Sequence, residues 1–431
     1  MKRAIALAVV ALAALPAFAA CTSKKEYEAH FVYKDAGPRE NPAVPEPRVD
    51  PSPMTDACQT TCTGLTVVGS VVELQPPFED SGGDSSVTFG KGNWYVAWGG
   101  RPALVTQIQR FTADGKPAGA TRRVERTTPG QLVWNPRGDG ELDLLAEWWP
   151  ANDAMTDAAW LRFDPNLAPT AGAFRIQEVK TIRYGYDRLE IQGTRLERTS
   201  TLDRTQPMVR LQRLDPAGGA GQRIEQSDWY APSKSSWLAV NRVGDKRLVA
   251  YAADGALQVA GLGANGSLGT PSRAIEGLAA TPSVLVRSAM VGKDLWVAAF
   301  VSEQPPSIPR TVLLRRIDPA TLAVLDAEPI RIAWPTGHPS DLIAANGTLA
   351  LVGDLEGDRS PLRWSFVPVD TQARAVCRPS TVVVVPDRSA HQTIRAVHFE
   401  GDTAGVTLDT WTGSGPRHMY FTRLACTRPA P

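Results

Sequence analysis

Histidine is scarce in this chain, with five in 431 residues, and no pair shows the His-x-x-x-His spacing of a metal site. There is no Gly-x-Ser-x-Gly elbow and no phosphate-binding glycine loop, so the common motif-borne hydrolase and nucleotide chemistries find no footing. An excess of one charge is also missing. Lys and Arg number 46 against 45 Asp and Glu, a net charge of +1. Nucleic acids and anionic membranes select basic surfaces, and this balance argues against both. The apolar run Ala4 to Leu15 is too short to cross a bilayer comfortably. Proline (35) and glycine (36) are plentiful, as expected of a chain with many turns, and twelve tryptophans is a high count.

The pattern that organises the rest is Gly92 to Gly119, which reads strand, loop, strand, turn. Trp94-Tyr95-Val96-Ala97-Trp98 has the aromatic and β-branched composition of a buried strand. Asp114-Gly115 is expected to close a two-residue primed hairpin. Variants recur: RFTADGKPAG from Arg110, RFDPNLAPTAG from Arg162, RLDPAGGAG from Arg213, GLGANGSLG from Gly261 and RIDPATLAVLD from Arg316. A weaker copy starts at Pro368, and Arg423 to Cys426 is a truncated last one. The spacing, roughly 45–55 residues, is that of a four-stranded propeller blade. A β-sandwich also has short strands, but it would not repeat an arginine-apolar-aspartate turn at fixed spacing.

On these residues the chain resembles the β-propeller domains of secreted bacterial lipoproteins, from about Leu65 onward. It lacks the Gly-His and Trp-Asp pairs of WD40 blades, the Asp-box of sialidase-like propellers and the calcium loops of integrin-like blades. The resemblance implies an all-β fold and no catalytic residues. Seven four-stranded blades are expected, about Ser85–Glu125, Gly130–Gln177, Asp187–Glu225, Ser235–Ile275, Pro282–Ile332, Pro339–Val385 and His391–Cys426. The third is the most charged, so six blades with a long insertion is the alternative. Gly64 to Leu74 is a lone strand, and its natural place is the outer edge of the last blade, closing the ring.

Residues 1–20 read as a signal peptide, with Lys2-Arg3, an apolar core and a small-residue end. Ala19-Ala20-Cys21 resembles the end of a lipobox, which would acylate Cys21; Ala17-Phe18-Ala19 alternatively fits ordinary cleavage. Residues 21–57 carry six prolines between Pro38 and Pro53 and read as an extended tether. The domain proper is 58–431. Four cysteines remain, and an exported chain with an even number implies two disulfides. Cys62 enters the closing strand where its partner strand ends at Cys426, and Cys377 sits at the equivalent turn of the neighbouring blade. Cys62–Cys426 and Cys58–Cys377 are the expected bridges. Asn265-Gly266 and Asn346-Gly347 match a glycosylation pattern but read as hairpin turns in an exported bacterial-type chain.

In such a fold the short regular turns gather at one end of the sheets and the long loops at the other. Binding is expected at the loop end. The candidates there are Trp148, Trp149, Tyr186, Trp229, Tyr230, Trp334, His338, Asp354, Trp411 and His418. Loop tryptophans suit stacking on sugars or gripping apolar side chains, though they also wedge between blades. Asp354-x-Glu356-x-Asp358 and Asp139-x-Glu141-x-Asp143 place alternate carboxylates on one side of an extended segment; a solvated acidic loop is the first reading and structural Ca²⁺ the alternative. No cofactor and no catalytic residue is expected. The leading expectation is a monomeric, non-enzymatic envelope lipoprotein that binds a glycan, peptide or protein partner, touching membrane only through its lipid. A propeller enzyme acting on polysaccharide, or a structural envelope component, are the alternatives.

Overall fold

The computed structural model describes residues 52, 54–55, 58–78, 84–100, 104–136, 139–148, 157–176, 187–192, 195–202, 208–214, 223–230, 238–244, 246–253, 256–263, 268–279, 285–301, 311–334, 338–355, 363–385, 391–412 and 417–428. Every regular element among them is a β-strand. The signal peptide, Cys21 and the tether before Ser52 lie outside the described residues.

Two strands come first, the short β1 (Met54–Thr55) and the long β2 (Gly64–Phe78). Sheet 1 is β3 (Asp84–Gly90), β4 (Asn93–Gly100), β5 (Val105–Thr112) and β6 (Pro117–Glu125). Sheet 2 is β7 (Thr127–Asn135), β8 (Glu141–Trp148), β9 (Asp157–Phe163) and β10 (Pro169–Ile176). Sheet 3 is β11 (Asp187–Gln192), β12 (Arg195–Leu202), β13 (Met208–Leu214) and β14 (Arg223–Tyr230). Sheet 4 is β15 (Leu238–Val243), β16 (Lys246–Ala253), β17 (Ala256–Leu262) and β18 (Leu268–Ala279). Sheet 5 is β19 (Leu285–Val291), β20 (Asp294–Val301), β21 (Thr311–Ile317) and β22 (Ile330–Ala333). All five are antiparallel with neighbours in chain order.

The remaining strands join in one ten-stranded sheet. Its first half holds β23 (His338–Ala345), β24 (Thr348–Leu355), β25 (Arg363–Asp370), β26 (Ala375–Cys377) and β27 (Ser380–Thr381), with β1 running parallel to β26. Its second half holds β28 (His391–Glu400), β29 (Thr403–Trp411) and β30 (Arg417–Thr427), with β2 antiparallel to β30. The halves meet at a single parallel bridge, Arg363 to Gln392. That bridge is why separate four-stranded units are not seen here.

The second strand of each unit explains the apolar runs in the sequence. Tyr95, Val96 and Ala97 on β4, and Val297, Ala298 and Ala299 on β20, are all at 0% exposure, so both faces of these strands are covered. Fully burying a large apolar side chain stabilises by about 1.5–3 kcal/mol. The outermost β6 is nearly all exposed, which suits its sequence PAGATRRVE.

The apolar clusters lie between consecutive units. Tyr95, Ala97 and Ile108 pack on β7, β8 and β9. Trp229 and Val209 of sheet 3 pack on Val240, Val249 and Tyr251 of sheet 4. Other clusters join sheets 4 and 5, sheet 5 with the first half, and the first half with the second. The second half packs on sheet 1 through Phe421, Met419, Trp94 and Phe111. Two glycines are required by this fit. A Cβ on Gly90 would lie 1.9 Å from the Trp134 ring, and one on Gly405 would lie 2.5 Å from Trp94.

The repeated turn is built as follows. Asp164 Oδ1 accepts the N–H groups of Asn166 (2.9 Å) and Ala168 (2.7 Å). Asp318 Oδ1 accepts Ala320 N–H (2.8 Å), and Asp370 Oδ1 accepts Gln372 (3.1 Å) and Ala373 (2.9 Å). The repeated aspartate thus caps its own turn as an Asx motif, and the following proline in two copies sets the φ the turn needs. At Asp114-Gly115 the expectation of a primed hairpin is corrected. Gly115 N–H donates to Thr112 O (2.9 Å), and Gly115 alone has positive φ (86°). This is a type I turn followed by a left-handed residue. Leu167 and Leu322 occupy that left-handed place in later copies, with φ of 66° and 60°, and bury their side chains. Asn346-Gly347 does form a two-residue hairpin, with φ of 45° and 75°.

Both expected disulfides are present, Cys58–Cys377 and Cys62–Cys426. Met54–Thr55, inside the stretch read as tether, pair with Val376 and Cys377, and Ser52 N–H donates to Arg331 O (2.8 Å).

Candidate functional site

Each unit has two ends. At the turn end the first strand turns into the second and the third into the fourth. At the open end the second strand connects to the third and each unit passes to the next. All the candidates with described backbone lie at open ends, but in separate groups.

Trp148 ends β8, paired with Thr127 and Asp157. Trp149 and Tyr186 lie outside the described residues. Trp229 packs edge-on against Tyr251, ring centroids 5.3 Å apart, and belongs to the cluster between sheets 3 and 4. It is a wedge between units. Its neighbour Tyr230 points the other way and is 52% exposed, as strand alternation requires. Trp334 is a correction to the loop reading. It is 2% exposed inside the cluster joining β19–β22 to β23–β25, and its indole N–H donates to Asp354 O (3.4 Å). An indole fills that space, and the carbonyl satisfies its one polar atom. His338 pairs across the ladder with Asp354, which is half-buried.

The densest group is at the open end of the last unit. Trp411 ends β29, His391 begins β28 and Arg417 begins β30, so the three fall in one row across adjacent strands. His391 stacks on the Trp411 ring at 4.9 Å and 12°. The Arg417 guanidinium lies 4.4 Å from the Trp411 centroid. These distances match the strand spacing of about 4.8 Å. The indole therefore stands upright between its two neighbours with both faces covered. It orients the imidazole and the guanidinium rather than offering a bare platform.

Below this row sits Asp409, two residues before Trp411 on the same face and 1% exposed. Its Oδ2 accepts from Arg395 Nη2 (2.6 Å) and from Arg417 Nη1 (2.9 Å). On the neighbouring position His418 Nδ1 lies 2.7 Å from Glu73 Oε1 of β2. Tyr420, directly opposite Glu73, has its phenol pushed above the usual range, by burial first and then by the Glu73 charge. The sequence reading missed Arg395 and Asp409. Asp409 was hidden inside a run read as an apolar strand, and the signal for it is a carboxylate spaced by two from a strand-ending tryptophan.

The second acidic candidate resolves differently. Asp143, at 0% exposure, accepts from Arg162 Nε (2.8 Å), Trp160 Nε1 (2.9 Å) and Asn135 Nδ2 (3.1 Å). Glu141 lies 3.3 Å from the same arginine. These carboxylates hold Arg162 and stand in place of an acidic loop. Glu356 and Asp358 lie outside the described residues. Among the described residues no group of three or more His, Cys, Asp or Glu could hold a metal ion.

No family model matches this chain, and no curated protein matches it. Similar solved structures include the Dos1 propeller, at 10% identity over 83% of this chain and 94% of that one, TM-score 0.45. Another is the β-propeller domain of the Trilobed protease from Pyrococcus furiosus, described as having an open velcro topology, at 11% identity over 79% and 93%, TM-score 0.47. A third is Pyrococcus horikoshii acylaminoacyl peptidase, at 11% identity and TM-score 0.46; this chain covers 52% of that protein's length.

Proposed function

We propose that the chain is a seven-bladed β-propeller, closed by β2 in the last blade, lipid-anchored at Cys21 in the cell envelope, which binds a glycan at its open end without catalysis. Unit-to-unit packing that runs in order and returns from β28 to β3 supports the ring. Ser85 Oγ and Thr407 Oγ1 (2.6 Å) and Arg423 Nη1 to Ala113 O (2.6 Å) hold the last unit to the first. Gln75 O of β2 accepts from Gln107 Nε2 (2.7 Å) and Trp98 Nε1 (3.3 Å), so the closing strand is gripped from both sides.

The observation that carries the functional reading is where the chain enters. Gln59 N–H donates to Asp370 Oδ2 (3.0 Å), Thr61 Oγ1 to Asn346 O (2.5 Å), and Thr63 N–H to Thr427 O (2.8 Å). All three acceptors belong to the turn end. Residues 59–63 thus lie at one end, and the His391–Trp411–Arg417 row lies at the other. An anchored molecule would present that row away from the membrane. Two disulfides suit the oxidising compartment this requires. Asp409, carrying two arginines, is not placed as a general acid.

Thermal denaturation of the purified full chain against envelope glycans, muropeptides and short peptides tests the reading, since binding to the native state raises the midpoint by mass action. A glycan-specific rise that Trp411→Ala abolishes is expected. A rise only with peptides, or none with any ligand, would overturn it. Separately, Cys21→Ser is expected to move the protein from the membrane to the soluble fraction.

A further inference from the structure

We infer that the open end of the last unit is an anion-reading subsite selecting carboxylate-bearing sugars; this rests on the glycan reading above. The side-chain stoichiometry at Asp409 is the starting point. One buried carboxylate accepts two guanidinium groups, both on Oδ2. A structural ion pair at this depth needs one cation. A second leaves a local charge of +1 among these three groups, and a buried or half-buried charge without a counterion is costly. The adjacent Glu73 carboxylate is engaged by His418, with Nδ1 2.7 Å from Oε1. A ligand anion would complete the balance.

The donors are ready for one. A guanidinium carries five N–H groups, and Arg395 and Arg417 each commit one to Asp409. Their side chains are 32% and 22% exposed, so solvent reaches both. Neither is loose. Arg417 is fixed by its contact with Trp411, and the indole is fixed in turn by His391. Asp409 Oδ1 is buried and accepts no hydrogen bond from any described residue, so the carboxylate is spent on orienting the two arginines through one oxygen. Planar forks held in this way match a carboxylate by two parallel hydrogen bonds, which an ammonium group cannot do. The imidazole of His391 ends the row on the side of the first strand. Trp411 is a positioning residue here, acting through the groups on either side.

The probes are oligogalacturonate and its fully methyl-esterified form, which share a backbone and differ in the carboxylate. Each is titrated calorimetrically into the purified full chain at low and high salt. The acid form is expected to bind at least about tenfold more tightly at low salt, with the gap shrinking as salt screens it. Arg395→Gln and Arg417→Gln are each expected to remove the preference for the acid form, bringing the two forms to equal affinity in the variant. Arg395→Lys, which keeps the charge and loses the fork, is expected to lose most of it; its melting temperature shows whether the fold is kept. Equal affinity for the two forms, or a preference that survives both glutamine variants, would overturn the inference and leave the glycan reading intact. Failure of both forms, together with neutral glycans, would overturn the two together.

Discussion

Asp143 and His398 show how far single residues decide this structure. Asp143 is fully buried and takes three donors, so removing it takes the shorter of two ion pairs from the buried Arg162 guanidinium and leaves it only Glu141 at 3.3 Å. Asp143→Ala is expected to cost about 3–5 kcal/mol, the usual penalty for breaking a buried pair from one side. Urea denaturation checks it, and a loss within about 1 kcal/mol would mean that water reaches Arg162. His398 packs near Trp94, ring centroids 6.2 Å apart, and burial pushes its pKa below the ordinary value, opposed by Glu400. The native state then binds its proton more weakly than the unfolded chain. Stability contributed by the neutral ring is present above about pH 6.5 and falls as pH drops below that, down through the native pKa. Urea midpoints at pH 7.5 and 5.5 should fall more for wild type than for His398→Gln. At this scale the sequence was only partly informative. The aromatic type at Trp334 and Trp411 was visible, but not that one fills the core and the other stands between a histidine and an arginine. Arg395 and Asp409 are 14 residues apart in sequence and meet only through strand register.

At the level of elements, the repeat was legible because each copy solves the same local problem. Its aspartate caps a turn, and its arginine often ties units together. Arg110 Nη1 reaches Asn166 Oδ1 (2.9 Å) in the next unit's turn, and Arg423 reaches Ala113 O in the first. Arg374 reaches back to Asp326 (2.8 Å) of sheet 5. Arg423→Met should therefore lower the melting temperature by loosening the seam between the last and first units. A melting temperature unchanged within error would show that the strap is not needed. What the repeat could not show was the turn geometry, because a type I turn with a left-handed residue and a primed turn share the Asp-Gly signature. Close packing adds a second test. Gly405→Val would drive side-chain atoms into the Trp94 ring, and overpacking of this kind typically costs about 1–3 kcal/mol. Calorimetric unfolding reads it directly.

For the whole molecule, both disulfides join the segment around Cys58 and Cys62 to the last two units, across sequence separations of 319 and 364 residues. Their pairing was legible in the order of the repeats, because the lone strand β2 pairs with β30 and so sets Cys62 beside Cys426. Mutating both members of the Cys62–Cys426 bridge to serine should cost about 2–5 kcal/mol. The ten-stranded sheet was not legible, since it hangs on the one bridge between Arg363 and Gln392. The same topology puts the chain entry at the turn end and the candidate site at the open end. In the proposed molecule the two ends thus have separate roles. Hydrogen exchange by mass spectrometry on the full chain, with and without an envelope glycan found to bind, tests this most directly. Protection is predicted at the open end, in peptides around His391–Arg395 and Asp409–His418. Protection instead at the turns around Ala113–Lys116, Asn346–Thr348 and Asp370–Arg374 would contradict it.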